Sequence, residues 1–420
     1  MRDLLTHAAV VLVLASSAQL ARAQDEGTES GIRTSAVLIR EAGATVAQAA
    51  AVTIGLRRGI ADVDGVSFVH PVDVLSTPAI GEELQMAMDE LEPIADMVRT
   101  GDARAAFERA DEVVRVFEEN LVAVRRSQLV DAYMLAAIGR CRAGLVRECE
   151  ERIREIVAFR ESIEYDAERY GPESRDVFDR ARARALAGAR GTLVVETEPE
   201  GAEVYIDGRS YGPSPVTAEG LLAGRHYVTV KELGYDKLIV RADVRGGRAT
   251  EVRYVLEPNP RSQLIIRPRT LDSLRAELGE PRAGEAIQSL GRTLATAQLI
   301  LGVLRPAAGG RVHVQLYLYH VHTRLLQARQ EATISIDEAG MERARQMAVD
   351  LYEGVDLAGG IAAPDDSAVV RQPELFEQWW FWTIVGGGVA LVAVAIGVGV
   401  ALGNTEQVPG GFVRWQGLLP

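Results

Sequence analysis

The chain has 420 residues, enough for two or three hydrophobic cores, because a domain usually holds about 100–200 residues. Hydrophobic residues make up 47% and charged residues 25%, which is close to the globular average and excludes a chain that is disordered throughout. The formal net charge of -13 argues against a nucleic-acid partner, which normally requires a basic surface. Two cysteines are too few for a disulfide scaffold.

Residues 1–23 have the pattern of a cleavable secretory signal peptide. Arg2 precedes an apolar run over residues 8–15, and this run is too short to span a bilayer. Ala21 and Ala23 are the small residues that signal peptidase requires, so the mature chain is predicted to begin at Gln24. The alternative is an uncleaved amino-terminal anchor.

Residues 31–79 are predicted to form the first part of an α/β domain. Residues 36–40 and 66–69 are short apolar strand candidates, and residues 45–60 between them have a helical pattern. A strand, a helix and a strand in this order indicate a unit with a right-handed crossover.

Residues 80–190 are predicted to form a helical block. One apolar stripe at alternating steps of three and four runs through Phe107, Ala110, Val114, Phe117 and Leu121. Two further helices, over 129–143 and 145–159, meet at a glycine turn. This segment resembles a degenerate pair of tetratricopeptide-repeat helices, and a small helical bundle is the alternative.

Cys141 and Cys149 flank the turn at Gly144. On one continuous helix they would lie about 12 Å apart, too far for a disulfide. Across a helical hairpin they could meet and form one. Two unbonded thiols in the core are the other interpretation.

Residues 191–258 change to a period of two. Short alternating runs are separated by turn residues, among them Asp207-Gly208, and this predicts a small β-sandwich. The segment resembles a PEGA domain through Pro199, Glu200, Gly201 and Ala202 and through the hydrophobic-Asp-Gly and Gly-x-Ser-Pro patterns that follow. The resemblance implies a small all-β module of bacterial envelope and surface proteins, without catalytic residues.

Residues 263–357 are predicted to be the second α/β part. Strands are expected over 298–304, 312–321 and 325–336, with helices over 284–294 and 338–353. This part resembles the later half of the amino-terminal domain of TolB-type envelope proteins, whose earlier half residues 34–72 would supply. We therefore expect both parts to share one sheet, interrupted by the helices and the PEGA-like module.

Residues 379–403 are predicted to form a transmembrane helix. The segment is apolar apart from one threonine and would rise about 36 Å as a helix, enough to cross a bilayer. Trp379, Trp380 and Trp382 would anchor it at one interface. Its glycines and alanines would also allow a homodimer through this helix.

Two flanking segments complete the predicted topology. Residues 358–378 are polar and punctuated by proline, which is typical of a linker. With a cleaved signal peptide, the order of segments places the body outside the cytoplasm and residues 404–420 inside as a tail.

Three patterns come close to known chemistry. Gly208 to Gly212 contains Ser210 in a G-x-S-x-G arrangement, but a nucleophile elbow must lie between a strand and a helix, and this segment is predicted to be a β-turn. His320 and His322, with His313 earlier on the same predicted strand, have no cysteine or carboxylate cluster beside them. Residues 62–65 lack the later ligands of a calcium loop. We predict no catalytic residue, no metal site and no cofactor.

The sequence as a whole predicts a multidomain α+β protein: an α/β domain, split or not, a helical tetratricopeptide-like block, a PEGA sandwich and one carboxyl-terminal transmembrane helix. We expect a non-enzymatic, single-pass scaffold or adaptor of the bacterial inner membrane, with a periplasmic body and a cytoplasmic carboxyl terminus. Its expected partners are the lipid bilayer and other envelope proteins or a cell-wall component, and no nucleic acid. A sensor subunit that signals through the transmembrane helix is the alternative, and an enzyme is disfavoured.

Overall fold

In the computed structural model, the described residues are 31–76, 78–355 and 357. No helix among them is both long enough and apolar enough to cross a membrane. Several predictions lie outside the described residues: the signal peptide with Ala21 and Ala23, the linker over 358–378, the membrane segment with Trp379, Trp380 and Trp382, and the tail over 404–420.

The first α/β part begins with strand β1 (Ile32–Arg40), helix α1 (Val46–Ile60), strand β2 (Val66–Phe68) and helix α2 (Pro71–Leu75). Helix α1 begins at a capping box, because the Thr45 hydroxyl accepts from the Gln48 N–H and the Gln48 side chain accepts from the Thr45 N–H. The predicted strand, helix and strand are confirmed. The apolar residues of both strands also predict burial on both faces. This is wrong for β2, a half-buried strand at the sheet edge.

Seven helices follow: α3 (Glu82–Asp89), α4 (Leu91–Thr100), α5 (Ala103–Glu119), α6 (Arg126–Arg142), α7 (Val146–Phe159), α8 (Ala167–Tyr170) and α9 (Arg175–Leu186). They share one core, which we call the core of the helical block (residues 82–186). The predicted stripe on α5 is shifted, because Leu121 lies beyond the end of the helix and Phe107 is half-buried, whereas Ala106 and Val113 are buried.

A disulfide joins Cys141 near the end of α6 to Cys149 in the first turns of α7. Their Cα atoms lie 5.2 Å apart. The chain reverses between them at Gly144, whose φ of 79° is a left-handed conformation that favours glycine. Of the two interpretations left open by the sequence, the structure has the bonded pair across a helical hairpin.

Residues 190–258 form the β-module, built from strands β3 (Arg190–Glu198), β4 (Glu203–Ile206), β5 (Arg209–Pro213), β6 (Val216–Leu222), β7 (Gly224–Lys231), β8 (Leu238–Val244) and β9 (Ala249–Val255). They make two sheets, β6-β3-β9 and β5-β4-β7-β8, around one apolar core that includes Leu193, Val204 and Val228. The predicted sandwich is therefore confirmed, although β5 and β6 were not among the predicted strands.

The second α/β part contains helices α10 (Pro260–Ile266), α11 (Pro268–Glu277) and α12 (Glu285–Thr293), then strands β10 (Gln298–Pro306), β11 (Val312–His320) and β12 (Leu326–Ile334), and helix α13 (Glu338–Tyr352). Helices α10 and α11 were not predicted. Each begins with a proline in its first turn, where the missing N–H has no helical partner to lose.

Both α/β parts contribute to one five-stranded sheet in the order β12-β11-β10-β1-β2. Strand β1 pairs in parallel with β10, from Thr34 opposite Gln298 to Arg40 opposite Leu304. Helices α1 and α13 cover one face, where Gly55 and Gly59 let the two helices approach; a Cβ on Gly59 would lie 2.2 Å from the Arg345 carbonyl. The prediction of one shared sheet is confirmed, and we call this unit the α/β body.

Candidate functional site

The turn between β3 and β4 brings the β-module against the α/β body. Pro199, Glu200, Gly201 and Ala202 form this turn. Gly201 has a φ of 91°, and a Cβ there would lie 2.4 Å from the backbone nitrogen of Ala47 in α1. The N–H of Gly201 donates to the Ser214 hydroxyl at 2.9 Å. Glycine at this position is therefore required both by its conformation and by the close contact with α1.

A buried carboxylate, Glu203, lies at the same contact between the β-module and the α/β body, which we call a seam. Val72 donates its N–H to His70 Nδ1 at 3.1 Å, so the proton of a neutral imidazole lies on Nε2, which donates to Glu203 Oε1 at 3.2 Å. The Tyr205 hydroxyl donates to Glu203 Oε2 at 2.6 Å. Burial would raise the pKa of Glu203, but His70, Tyr205 and the nearby Lys231 outweigh it and hold the pKa below its ordinary value.

The chain's only two lysines, Lys231 and Lys237, both pair with Asp73 of α2. Lys231 Nζ lies 2.6 Å from Asp73 Oδ2, and Lys237 Nζ lies 3.2 Å from Oδ1. Burial would raise the pKa of Asp73, but the nearby Lys231, His70 and Lys237 outweigh it and hold the pKa well below its ordinary value. Two cations lie against the ring of Tyr205, because Arg57 and Lys231 approach its centroid at 4.9 and 5.2 Å.

A small cavity of about 60 Å³ lies beside these groups, with Glu232 and Arg40 in its wall. Burial raises the pKa of the Glu232 carboxyl to about 8. Arg40 opposes this shift, but its guanidinium is 3.9 Å from Glu232 and partly exposed, so burial dominates. The seam therefore contains two ionised carboxylates, Asp73 and Glu203, and one that is protonated at neutral pH, Glu232.

The opposite side of the β-module meets the helical block around Glu118 of α5. The Tyr133 hydroxyl donates to Glu118 at 2.7 Å, and Tyr227 of β7 donates to the same carboxylate oxygen. Phe159 lies between the two tyrosine rings, edge-on to both. Arg225 adds an ion pair to Glu118 at 3.5 Å. Burial raises the pKa of Tyr133 to about 12, so both hydroxyls remain donors.

His226 is buried within the β-module and has an acceptor at each ring nitrogen. Its Nδ1 lies 2.6 Å from the Asp207 carboxylate, and its Nε2 lies 2.7 Å from the Leu222 carbonyl. Burial opposes the charged form, but Asp207 and then Leu222 outweigh it and hold the pKa of His226 above its ordinary value. This arrangement suits an imidazolium that ties the β4–β5 turn to β7.

An open groove of about 240 Å³ lies on the helical block between α3 and α5. Its floor consists of Ala87, Val113 and Val116, and Met86 at its side is 56% exposed. Three glutamates line it against one arginine, which leaves an excess of negative charge: Glu83, Glu90 and Glu112 against Arg109. Arg115, which does not line the groove, pairs with Glu83 and Glu112. An apolar floor with an acidic rim can accept an apolar side chain that has basic neighbours.

The residues singled out from the sequence do not line this groove. Ser210 lies in β5, opposite Tyr205 of β4, in an antiparallel hairpin, and its hydroxyl is buried without a hydrogen-bond partner in the described structure. His320 and His322 are two positions apart, a spacing that predicts one shared face on a strand. This prediction is wrong, because β11 ends at His320 and His322 belongs to the following turn. Within the described residues, no group of three metal-ligating side chains comes together.

The residues of the two seams were not identified from the sequence. Glu203 and His70 are 133 positions apart, and Lys231 and Asp73 are 158 positions apart, so no local pattern connects them. One signal was available: in a chain whose basic residues are otherwise arginine, two lysines occur within seven residues of each other.

The β-module is the part of the chain that matches a known domain family. Residues 190–260 match the PEGA domain, and the match coincides with the seven strands of the sandwich and the start of α10. The chain therefore contains a PEGA domain, which indicates a protein-interaction or envelope-associated module. No curated protein matches the chain. The tetratricopeptide-like and TolB-like resemblances stay predictions.

Proposed function

We propose that the protein is a non-enzymatic scaffold of the bacterial envelope that binds a partner protein in the groove of its helical block. The groove carries this proposal, because it combines an exposed methionine, an apolar floor and an acidic rim. The PEGA domain contacts both the helical block and the α/β body through buried polar seams, so it would hold the two in one arrangement. The placement of Ser210 in a hairpin supports the non-enzymatic part of the proposal.

The partner segment is proposed to carry an apolar side chain flanked by arginine or lysine. The apolar side chain would lie against Ala87, Val113 and Val116, where it leaves water. Its basic neighbours would face the glutamates of the rim, which favours association and selects against acidic segments.

We further propose that residues 379–403 anchor the protein in the inner membrane, with the described body in the periplasm. The Cys141–Cys149 disulfide supports this location, because disulfides persist in oxidising compartments and are rare in the cytosol. Amino-terminal sequencing of protein taken from membranes is expected to start at Gln24. A chain that starts at Met1 would contradict the cleaved signal peptide.

Photo-crosslinking in intact cells tests the groove. A photoreactive residue at Met86 is expected to give one protein adduct, and mass spectrometry of the joined peptide is expected to show an apolar residue with basic neighbours. The matched control is Val146 of α7, which is also helical and 44% exposed but does not line the groove. Equal adducts at both positions, or an acidic joined peptide, would contradict the proposal. Met86→Glu should abolish partner binding and leave the fold unchanged.

A further inference from the structure

Strand β12 has a free outer edge in the part of the chain that the structure describes. It is the last strand of the five-stranded sheet and pairs only with β11. At its start, Leu326 donates its N–H to the Pro281 carbonyl at 3.1 Å. Just past its end, Ser335 packs closely against Gly340 of α13. The open stretch between these two contacts is residues 327–334, and Gln330 lies near its middle.

The direction of the backbone groups on this edge follows from the neighbouring strand. His320 donates its N–H to Leu325 beside β12, whereas Val321 donates to Ala297 beside β10. The direction of the backbone N–H and C=O groups alternates along a strand. Those of Leu316 and Gln330, which are opposite each other, therefore point toward each other within the β11–β12 ladder. Arg329, Glu331 and Thr333 therefore present their N–H and C=O groups outward.

The sequence of β12 reads nearly the same in both directions from Gln330. Arg329 and Glu331 flank it with opposite charges. Going outward, the residues on the two sides pair by type: Ala328 with Ala332, Gln327 with Thr333, and Leu326 with Ile334. Both charged side chains are exposed, and neither forms an ion pair within the described residues. Glu331 accepts one hydrogen bond, from Gln315 at 3.2 Å.

We propose that β12 pairs antiparallel with β12 of a second copy of this chain, about a two-fold axis at Gln330. In that register each Arg329 lies opposite Glu331 of the other copy, and both have outward backbone groups to exchange. Shifting the axis by one residue would place two arginines or two glutamates opposite each other, which is unfavourable. The two five-stranded sheets would become one ten-stranded sheet.

Leu325 and Ile336, just outside the two ends of β12, are 47% and 45% exposed. A two-fold axis at Gln330 places Leu325 opposite Ser335 of the other copy, so these two residues lie at the margin of the pairing and do not set its register. A strand pair of this length is smaller than the roughly 800 Å² per partner of a stable interface, so the dimer needs a high local concentration.

The experiment uses the full chain in its native membrane with Gln330→Cys. The natural cysteines are bonded to each other, so the new thiol is the one free thiol. Opposed residues at a non-hydrogen-bonded position have Cα atoms about 4.5 Å apart, within the range of a disulfide. Mild oxidation is therefore expected to give a covalent homodimer. Gln327→Cys is the control, because its two copies would be about 20 Å apart along the strands.

Charge reversal provides the second measurement. In the Gln330→Cys background, Arg329→Glu or Glu331→Arg alone is expected to reduce the crosslink at least about fivefold, because like charges then face each other. The two changes together should restore it, which also shows that neither change prevents folding. The proposal is overturned by a yield no higher than that of Gln327→Cys, by an adduct with another protein, or by a double reversal that stays low.

Discussion

Glu232 shows how one buried group makes the stability of the seam depend on pH. Burial raises the pKa of its carboxyl to about 8, whereas the ordinary value is 4.5. Between these values the folded protein keeps the proton and the unfolded chain loses it. The contribution of this group to stability is therefore fully present below pH 4.5 and is lost as the pH rises toward 8.

Glu232→Gln is expected to remove this dependence, because the amide keeps the shape and does not ionise. The free energy of unfolding should match the natural protein below pH 4.5 and exceed it progressively up to about pH 8, by about 5 kcal/mol. Urea unfolding at a series of pH values measures this difference. Glu196→Gln, on an exposed position of β3, is the control and should change nothing. A gain that is independent of pH would contradict the assignment.

At this scale the sequence identified the residues of the PEGA turn but not what they contact. The pattern Pro199 to Ala202 predicted a turn, and the turn is present. The contact of Gly201 with Ala47 could not be predicted, because it depends on how two separate units dock. The same holds for Glu203, whose partner His70 belongs to another unit.

The Cys141–Cys149 disulfide stabilises the hairpin of α6 and α7. The disulfide closes a short loop, with a sequence separation of 8. The loss of loop-closure entropy in the unfolded chain predicts a stabilisation of about 2.5 kcal/mol for a loop of this length.

Reduction is therefore expected to lower the free energy of unfolding by about 2.5 kcal/mol without changing the fold. Urea unfolding with and without a reductant measures the change. A variant with Cys141→Ala and Cys149→Ala should show the reduced stability from the start and should not respond to the reductant. If the natural protein and this variant respond alike, the two sulfurs are not bonded in solution.

Helices and strands with a clear hydrophobic period were predicted well. Those too short to show such a period, or whose ends depend on tertiary contacts, were not. Helix α1 and strand β3 have the expected patterns and burial. Helices α10 and α11 are short and interrupted by Pro268, so their period is too brief to recognise. The predicted strand over 312–321 is one residue longer than β11. Val321 is still apolar, but the backbone already turns there.

The described part of the chain is a domain interrupted by two others, and the ends of the interruption meet. The side chain of Asn259 donates to the Leu75 carbonyl at 3.5 Å, and the Lys237 N–H donates to Ser76 at 3.0 Å. The chain thus leaves the α/β body after α2 and returns before α10 at nearly the same place. Insertions of whole units are tolerated at such sites.

A shortened chain that replaces residues 77–258 with a brief Gly/Ser linker is expected to fold as the α/β body alone. Circular dichroism and urea unfolding should show mixed secondary structure and one cooperative transition. Residues 263–357 expressed by themselves should be insoluble, because the buried strand β10 would lose its neighbour β1. A soluble, cooperatively unfolding fragment 263–357 would show that β1 and β2 are not needed for that sheet.

The pairing of β1 with β10 also sets an order of events during synthesis. Thr34 and Gln298 contact each other across a separation of 264 residues. Chain synthesis proceeds at roughly 5–20 residues per second, so the partner strand β10 is synthesised about 13–50 s after β1. The helical block and the PEGA domain have their own cores and complete their sequences within that interval. The inserted units are therefore expected to fold before the domain that contains them.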